Sequence, residues 1–308
     1  LAITVGGRWS EDERLAVLDR AVENVATGTV TFNPRPSEGD RDFDNFSPSF
    51  VVAWQADEAI NVYAKVVEGY KSGGFNARAT TPQRFSEGFD DETLVSWELG
   101  LKSDWLDRRL RLNAALFRSD YEDIQVNVKS DPNNPILSDV LNAGSATVDG
   151  LEVDISGLLG ESLRYDVRYA WLDAGFDRIT AADGTNVADS YRFIGAPQHF
   201  VSLGLEYTLA TALGPLQLAS QYVWQDDSFS STTIDAGTYI IQAHGLWNAR
   251  LTLSHPLPRG EVQLALWGKN LSDEEYYTAH FNGGAGFPVA SAIWGAPRSL
   301  GVDFSYAY

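Results

Sequence analysis

The sequence predicts an all-β protein, an antiparallel β-barrel that crosses a membrane by its strands. Three observations carry the prediction: apolar and polar residues alternate along about twelve segments, the connections alternate between short and long, and aromatic residues gather near segment ends. The last ten residues, "SLGVDFSYAY", show the alternation plainly. Leu300, Val302, Phe304, Tyr306 and Tyr308 share one face, while Gly301, Asp303, Ser305 and Ala307 share the other.

Taken in order, strands are expected at about 2–9, 47–56, 59–71, 94–105, 108–128, 139–158, 161–175, 198–210, 214–226, 245–255, 260–271 and 298–308. "LRLNAALF" sets Leu110, Leu112, Ala114 and Leu116 against Arg111, Asn113 and Ala115. "LRYDVRYAW" sets Leu163, Tyr165, Val167, Tyr169 and Trp171 against Arg164, Asp166, Arg168 and Ala170. "FVSLGLEYTL", "WNARLTLSH" and "EVQLALWGK" repeat the pattern, and the second face keeps collecting charged and amide residues. One face is therefore oily and the other wet.

Short polar turns fall at residues 56–59, 106–109, 160–162, 211–214 and 256–260. Long stretches rich in Asp, Asn, Gly, Ser, Thr and Pro fall at about 10–46, 71–93, 129–138, 176–198, 226–245 and 272–297. Loops of that length are uncommon in compact soluble domains. A propeller or a sandwich predicts short loops at both ends. A bilayer explains both the asymmetry and the oily face, because lipid offers backbone amides no partners and only closed, fully paired sheets cross it. Trp54, Trp105, Tyr222, Trp224, Trp247, Tyr276 and Tyr277 read as interfacial girdles.

Composition excludes several function classes. The chain has 44% hydrophobic residues yet no apolar run long enough for a membrane helix. Its 42 acidic and 23 basic residues give a formal charge of −19, so the basic footprint of a nucleic-acid binder is missing. With no cysteine there are neither disulfides nor thiolate metal sites. His199, His244, His255 and His280 have no zinc-pair spacing on one element, and no metal or other cofactor is expected. Methionine is absent even at position 1, which leads us to expect a piece of a longer protein.

Several phrases carry a family likeness. "VYAKVVEGYKSGGFNAR" (62–78), "LVSWELGLKSDWLDRRLRLNAALFRSDYEDIQV" (94–126), "NAGSATVDGLEVDISG" (142–157), "GKNLSDEEYY" (268–277) and "GAPRSLGVDFSYAY" (295–308) resemble the TonB-dependent outer-membrane receptors of Gram-negative bacteria. The resemblance implies a 22-stranded barrel of which residues 1–308 form the carboxy-terminal portion, with about twelve strands present and the plug domain absent. It implies residence in the outer membrane, contact with the TonB complex through the missing amino-terminal region, and uptake of a scarce, bulky nutrient such as a ferric siderophore. It also implies that Phe304, Tyr306 and the terminal Tyr308 form the signal read by the barrel-assembly machinery, although most members end in Phe.

Two loop segments are candidate ligand sites. In "GYKSGGFNAR", Gly73 and Gly74 permit close approach, and Tyr70, Lys71, Phe75, Asn76 and Arg78 offer polar and aromatic tips, the two cations being suited to an anionic chelate. The same segment reads equally as a turn out of the membrane. In "TAHFNGGAGFP", His280 lies with Phe281 near Tyr277, an aromatic loop able to grip a flat ligand; a loop of no special role is the plainer reading. Glu98, Lys102, Arg111, Glu152, Asp154, Arg164, Asp166, Arg168, Glu206 and Arg250 are expected to keep the lumen wet.

The leading function is therefore an uptake receptor. A passive channel, the twelve strands closing on themselves, is the alternative. A barrel enzyme would need a Ser–His pair; the one pairing on offer, His199 with Ser202, sits at i, i+3, on opposite faces of one strand. No catalytic residues are assigned.

Overall fold

The computed structural model describes residues 1–19, 21–32, 36–79, 81–129, 138–142, 144–180, 184–232, 240–282 and 289–308. Twelve strands form one antiparallel sheet, each bonded to the next in chain order. They are β1 (Ala2–Leu18), β2 (Ser37–Gln55), β3 (Ile60–Lys71), β4 (Glu92–Trp105), β5 (Leu110–Glu122), β6 (Gly144–Leu159), β7 (Leu163–Ile179), β8 (His199–Thr211), β9 (Gly214–Gln225), β10 (His244–Pro256), β11 (Glu261–Lys269) and β12 (Ser299–Ala307).

The register aligns the alternation across strands. Trp54, Val62, Leu101, Ala114, Val153, Tyr169, Val201 and Trp224 form one unbroken apolar row from β2 to β9. One residue further along, Gln55, Asn61, Lys102, Asn113, Asp154, Arg168 and Ser202 form a polar row on the opposite face. A one-residue slip would exchange the two faces, so the patterning itself fixes the pairing.

The apolar face is bare. Leu99 is 55% exposed, Leu116 54%, Leu205 54% and Leu266 52%. Burying such side chains is worth about 1.5–3 kcal/mol each, and a soluble protein would hide them; here hydrocarbon is the missing layer. Trp97 and Trp105 share this face of β4, eight residues and so about 27 Å apart along the strand. A tilt of roughly 40° projects that separation to about 21 Å along the membrane normal, which fits within the ~25 Å apolar band of an outer-membrane barrel.

Buried apolar side chains sit among the loops instead. Ile124, Val126, Ala146 and Ile179 form a small core against Tyr121, Phe176, Val187, Tyr191 and Phe193 on the loop side of β5–β7. Phe43 on β2 and Ala79 and Phe85 in the β3–β4 connection are also buried. Away from the loops, on β11, Ala265 is buried as well.

The fold departs from the sequence expectation in three places. Residues 10–46 were expected to form a loop, but β1 and β2 continue through much of it, pairing from Ala2↔Ala53 to Leu18↔Ser37. Charged residues on both faces of "SEDERLAVL" and "SEGDRDFDNF" hide these strands from a lipid-face reading, because the arm stands clear of lipid. The expected strand 108–128 is cut at Asp123, whose φ of 52° is left-handed, and residues 125–129 pair instead with 138–142 as a separate hairpin. Tyr276 and Tyr277, expected near a strand end, lie seven and eight residues past the end of β11, Tyr276 stacked on His244 and Tyr277 tilted against Trp294. The twelve strands do not close on themselves, as the alternative of a self-contained channel would require. β1 and β12 are the two edges of the sheet, and no backbone pairing joins them among the described residues. β12 is exposed on both faces at every position except Gly301.

Candidate functional site

The wet face is organised by cross-strand ion pairs. Lys65 on β3 stands directly opposite Glu98 on β4, Nζ to Oε2 at 2.7 Å, and the Tyr63 hydroxyl donates to Oε1 of the same carboxylate at 2.6 Å. Arg111 bonds Asp104 at 2.8 Å and Arg168 meets Asp154 at 3.3 Å. Arg250 on β10 reaches past β11 to Asp303 on β12 at 2.6 Å, where Trp267 Nε1 also donates at 3.0 Å. The ten charged residues expected to face the lumen all share this side in the register.

The "SGGF" segment builds an ordered cap. Gly74 and Phe89 exchange backbone hydrogen bonds at 3.0 and 2.9 Å. A Cβ on Gly73 would collide with the Phe89 carbonyl and the Phe43 ring, so this approach requires glycine. A one-turn helix, Pro82–Glu87, follows: Thr81 caps it by accepting from the Arg84 amide at 3.1 Å, and Pro82 occupies the first turn. Arg41 of β2 ties the cap down through Asp90 and the Glu87 carbonyl.

Within this cap the predicted ligand residues have mixed placements. Phe75 packs on Phe85, ring centroids 5.7 Å apart. The Asn76 amide donates to Asp139 at 3.2 Å, joining the cap to the neighbouring hairpin. Lys71 pairs with Glu92 at 3.5 Å. Arg78 is exposed. The Tyr70 hydroxyl is sealed from solvent and has no hydrogen-bond partner among the described residues. The structure thus brings Phe75, Asn76 and Lys71 into contacts within the protein and leaves Arg78 pointing to water.

The second candidate group lies on the hairpin of Tyr277–Asn282 and Ala290–Trp294. Tyr277 meets His280 edge-on at 4.3 Å and Trp294 at 4.2 Å, while His244 stacks on Tyr276 at 4.4 Å. Phe281 has its backbone in the first strand of this hairpin; its side chain, like residues 283–288, lies outside what is described. At the carboxy end Phe304 and Tyr308 are 70% and 90% exposed, and the Tyr306 hydroxyl donates to the Arg259 carbonyl at 2.6 Å. His199 stacks on Tyr169, bonded to its hydroxyl at 2.9 Å, away from the buried Ser202.

Sequence reasoning missed the place where β2 leaves β3. Backbone pairing between them ends at Ser49↔Val67; the next residue, Pro48, has no N–H to donate. From there the β1–β2 arm runs on alone for roughly 36 Å. A polar cleft of about 570 Å³ opens at the divergence, lined by Arg8, Ser10, Arg14, Ser47, Glu68 and Tyr70 among others. On the arm's other face Glu13, Asp40 and Asp42 bring their carboxylates within 4.8 Å of one another, all fully open to water, which screens their repulsion.

A lipid-facing wall, a charged interior face and capped loops on one side define an outer-membrane β-barrel wall. The sequence model of the family described as TonB dependent receptor-like, beta-barrel matches residues 1–271, and the chain belongs to that family. It is 27% identical over 272 residues to the metal-pseudopaline receptor CntO of Pseudomonas aeruginosa, a match covering 85% of this chain and 33% of the relative. It is 26% identical over 227 residues to the ferric-pyoverdine M114 receptor PbuA of a Pseudomonas species, covering 71% and 26%. Among solved structures, the ferric yersiniabactin uptake receptor FyuA of Yersinia pestis superposes with a TM-score of 0.77 at 20% identity, over 98% of this chain and 42% of that one. The siderophore receptor PiuA of Acinetobacter baumannii gives 0.67 at 20% identity, over 97% and 40%. The chain thus spans between about a quarter and a third of the length of these curated relatives. The family and its relatives are transport receptors of the Gram-negative outer membrane, not enzymes.

Proposed function

We propose that the chain is the carboxy-terminal portion of the barrel of a TonB-dependent receptor that takes up a metal chelate of the ferric-siderophore class. The open sheet is the observation that carries this reading. Twelve strands whose two edges are unpaired among the described residues overlie about 40% of much longer receptor chains, so further strands would complete the wall and a plug would fill it. Contact with TonB belongs to that remainder. Assembly would begin at β12, whose Phe304, Tyr306 and Tyr308 present the aromatic ending that the assembly machinery reads. The ligands for which the relatives are named, metal–pseudopaline and ferric pyoverdine, support a chelate as cargo.

The test is uptake. Cells deleted for the complete gene are compared with their parent for accumulation of radiolabelled iron chelates extracted from the parent's own iron-starved medium. Loss of energy-dependent accumulation is expected; unchanged accumulation would overturn the reading. A self-closed channel needs β1 to pair with β12, and the open edges argue against it.

A further inference from the structure

We propose that the cleft between the β1–β2 arm and β3 is a binding subsite for a carboxylate-bearing chelate, an amino- or hydroxycarboxylate rather than a catecholate. The inference rests on the uptake reading and adds to it the chemistry of the cargo.

The cleft exists because Pro48 ends the ladder between β2 and β3. Below that point the two strands are zipped from Ser49 to Gln55; above it, side chains alone bridge the gap. Arg14 donates to Ser72 at 2.7 Å and Asn45 to Glu68 at 3.3 Å. At about 570 Å³ the space is in the range of small-molecule sites.

Its groups divide into those already used and those still open. Arg14 is committed to Asp12, at 3.0 Å, and to Ser72. Arg8 has an exposed guanidinium on the same lumen-facing row of β1, and no ion pair is formed by it among the described residues. That planar fork suits a carboxylate, which it can hold through two parallel bonds. Ser10 lies between the two arginines and adds a hydroxyl. Glu68 accepts from Asn45 through Oε1, leaving Oε2 to take a proton from an ammonium or hydroxyl on the same ligand. The Tyr70 hydroxyl, buried with no partner among the described residues, carries a desolvation cost that a ligand oxygen would remove.

The lining decides the ligand class. A catecholate presents aromatic faces and calls for apolar or aromatic walls. Here Tyr70 is the one aromatic ring, set among serines, arginines and carboxylates. A ligand with several carboxylate oxygens and one protonated or hydroxyl donor matches the open groups.

The experiment uses outer membranes from cells producing the receptor from its whole gene. Binding of iron(III) citrate and of iron(III) tris(2,3-dihydroxybenzoate) is measured in parallel. Saturable citrate binding is expected, reduced at least tenfold by Arg8→Ala, partly restored by Arg8→Lys, and reduced severalfold by Tyr70→Phe. Heat-modifiable gel migration reports whether each variant is folded; Tyr70→Phe loses a single oxygen and serves if Arg8→Ala fails to insert. No citrate binding by the unsubstituted receptor, or citrate binding indifferent to both positions, would overturn the subsite. Those outcomes leave the uptake reading standing, since that depends on the gene deletion alone.

Discussion

Glu98 and Leu99, neighbours on β4, face opposite media. The Glu98 carboxylate is held by Lys65 at 2.7 Å and by the Tyr63 hydroxyl at 2.6 Å, while Leu99 shows 55% of its surface beside Ala64 and Leu116. One step along the backbone therefore crosses from a hydrogen-bonded interior to a face that wants acyl chains.

Removing that carboxylate leaves Lys65 and Tyr63 without their shared acceptor. Hydrogen bonds to charged groups contribute about 1.5–3 kcal/mol, and Glu98 is only 17% exposed. Glu98→Ala is expected to lower stability by about 1–3 kcal/mol, and Glu98→Gln by less, in urea unfolding of the protein in detergent micelles. Equal midpoints for all three proteins would show the network to be idle.

The loop core offers an independent check. Ile179 is 2% exposed and packs with Ile124, Val126 and Ala146. Ile179→Ala is expected to cost about 2–4 kcal/mol, confined to the loops. Hydrogen exchange should quicken at residues 124–128 and 186–193 while β8–β12 stay protected; uniform acceleration along all strands would contradict the separation of loop core from wall.

Gly73 is a third test. Its missing Cβ admits the Phe89 carbonyl and the Phe43 ring. Gly73→Ala should open the cap, so that limited proteolysis cuts within 72–91 while the wall remains heat-modifiable. A cleavage pattern unchanged from the parent would mean that the close approach is dispensable.

The turn between β4 and β5 stores strain. Leu106, Asp107 and Arg108 all have left-handed φ, at 54°, 55° and 64°, without a glycine among them. Each such residue costs roughly 1–2 kcal/mol, and Asp-Gly is the favoured pair for a tight hairpin. Arg108→Gly is expected to stabilise the hairpin by about 1 kcal/mol, read as a rise in thermal midpoint; a fall would mean that Arg108 makes contacts worth more than its backbone costs.

These residues also show what the sequence could reveal. All twelve wall strands were legible because lipid on one face and water on the other impose a two-residue period, as at Leu163–Ile179. Above the membrane that constraint ends. The arm carries charge on both faces, so its strands read as loop, and the loop core at Ile124 and Ile179 is built by chain segments far apart in sequence. At the candidate site, "SGGF" was legible as a close backbone approach. That Phe75 and Asn76 would be spent on packing and on Asp139 was not, since Phe85 sits on a short helix ten residues on and Asp139 comes from another loop. The cleft at Arg8 was invisible for the same reason: it arises from Pro48 breaking a pairing, not from any local motif.

The central claim is that adjacent residues meet lipid and water in alternation, and Ala114 and Ala115 test it within one peptide bond. Ala114 lies in the apolar row between Leu101 and Val153; Ala115 lies opposite Glu152 on the wet face. Folding into bilayers is measured for Ala114→Arg and Ala115→Arg, the same side chain placed one residue apart. Ala114→Arg is expected to lose about 2–4 kcal/mol of folding free energy, the cost of arginine near the midplane, while Ala115→Arg folds with little loss beside the Glu152 carboxylate. Equal losses at the two positions, or the larger loss at Ala115, would contradict the account.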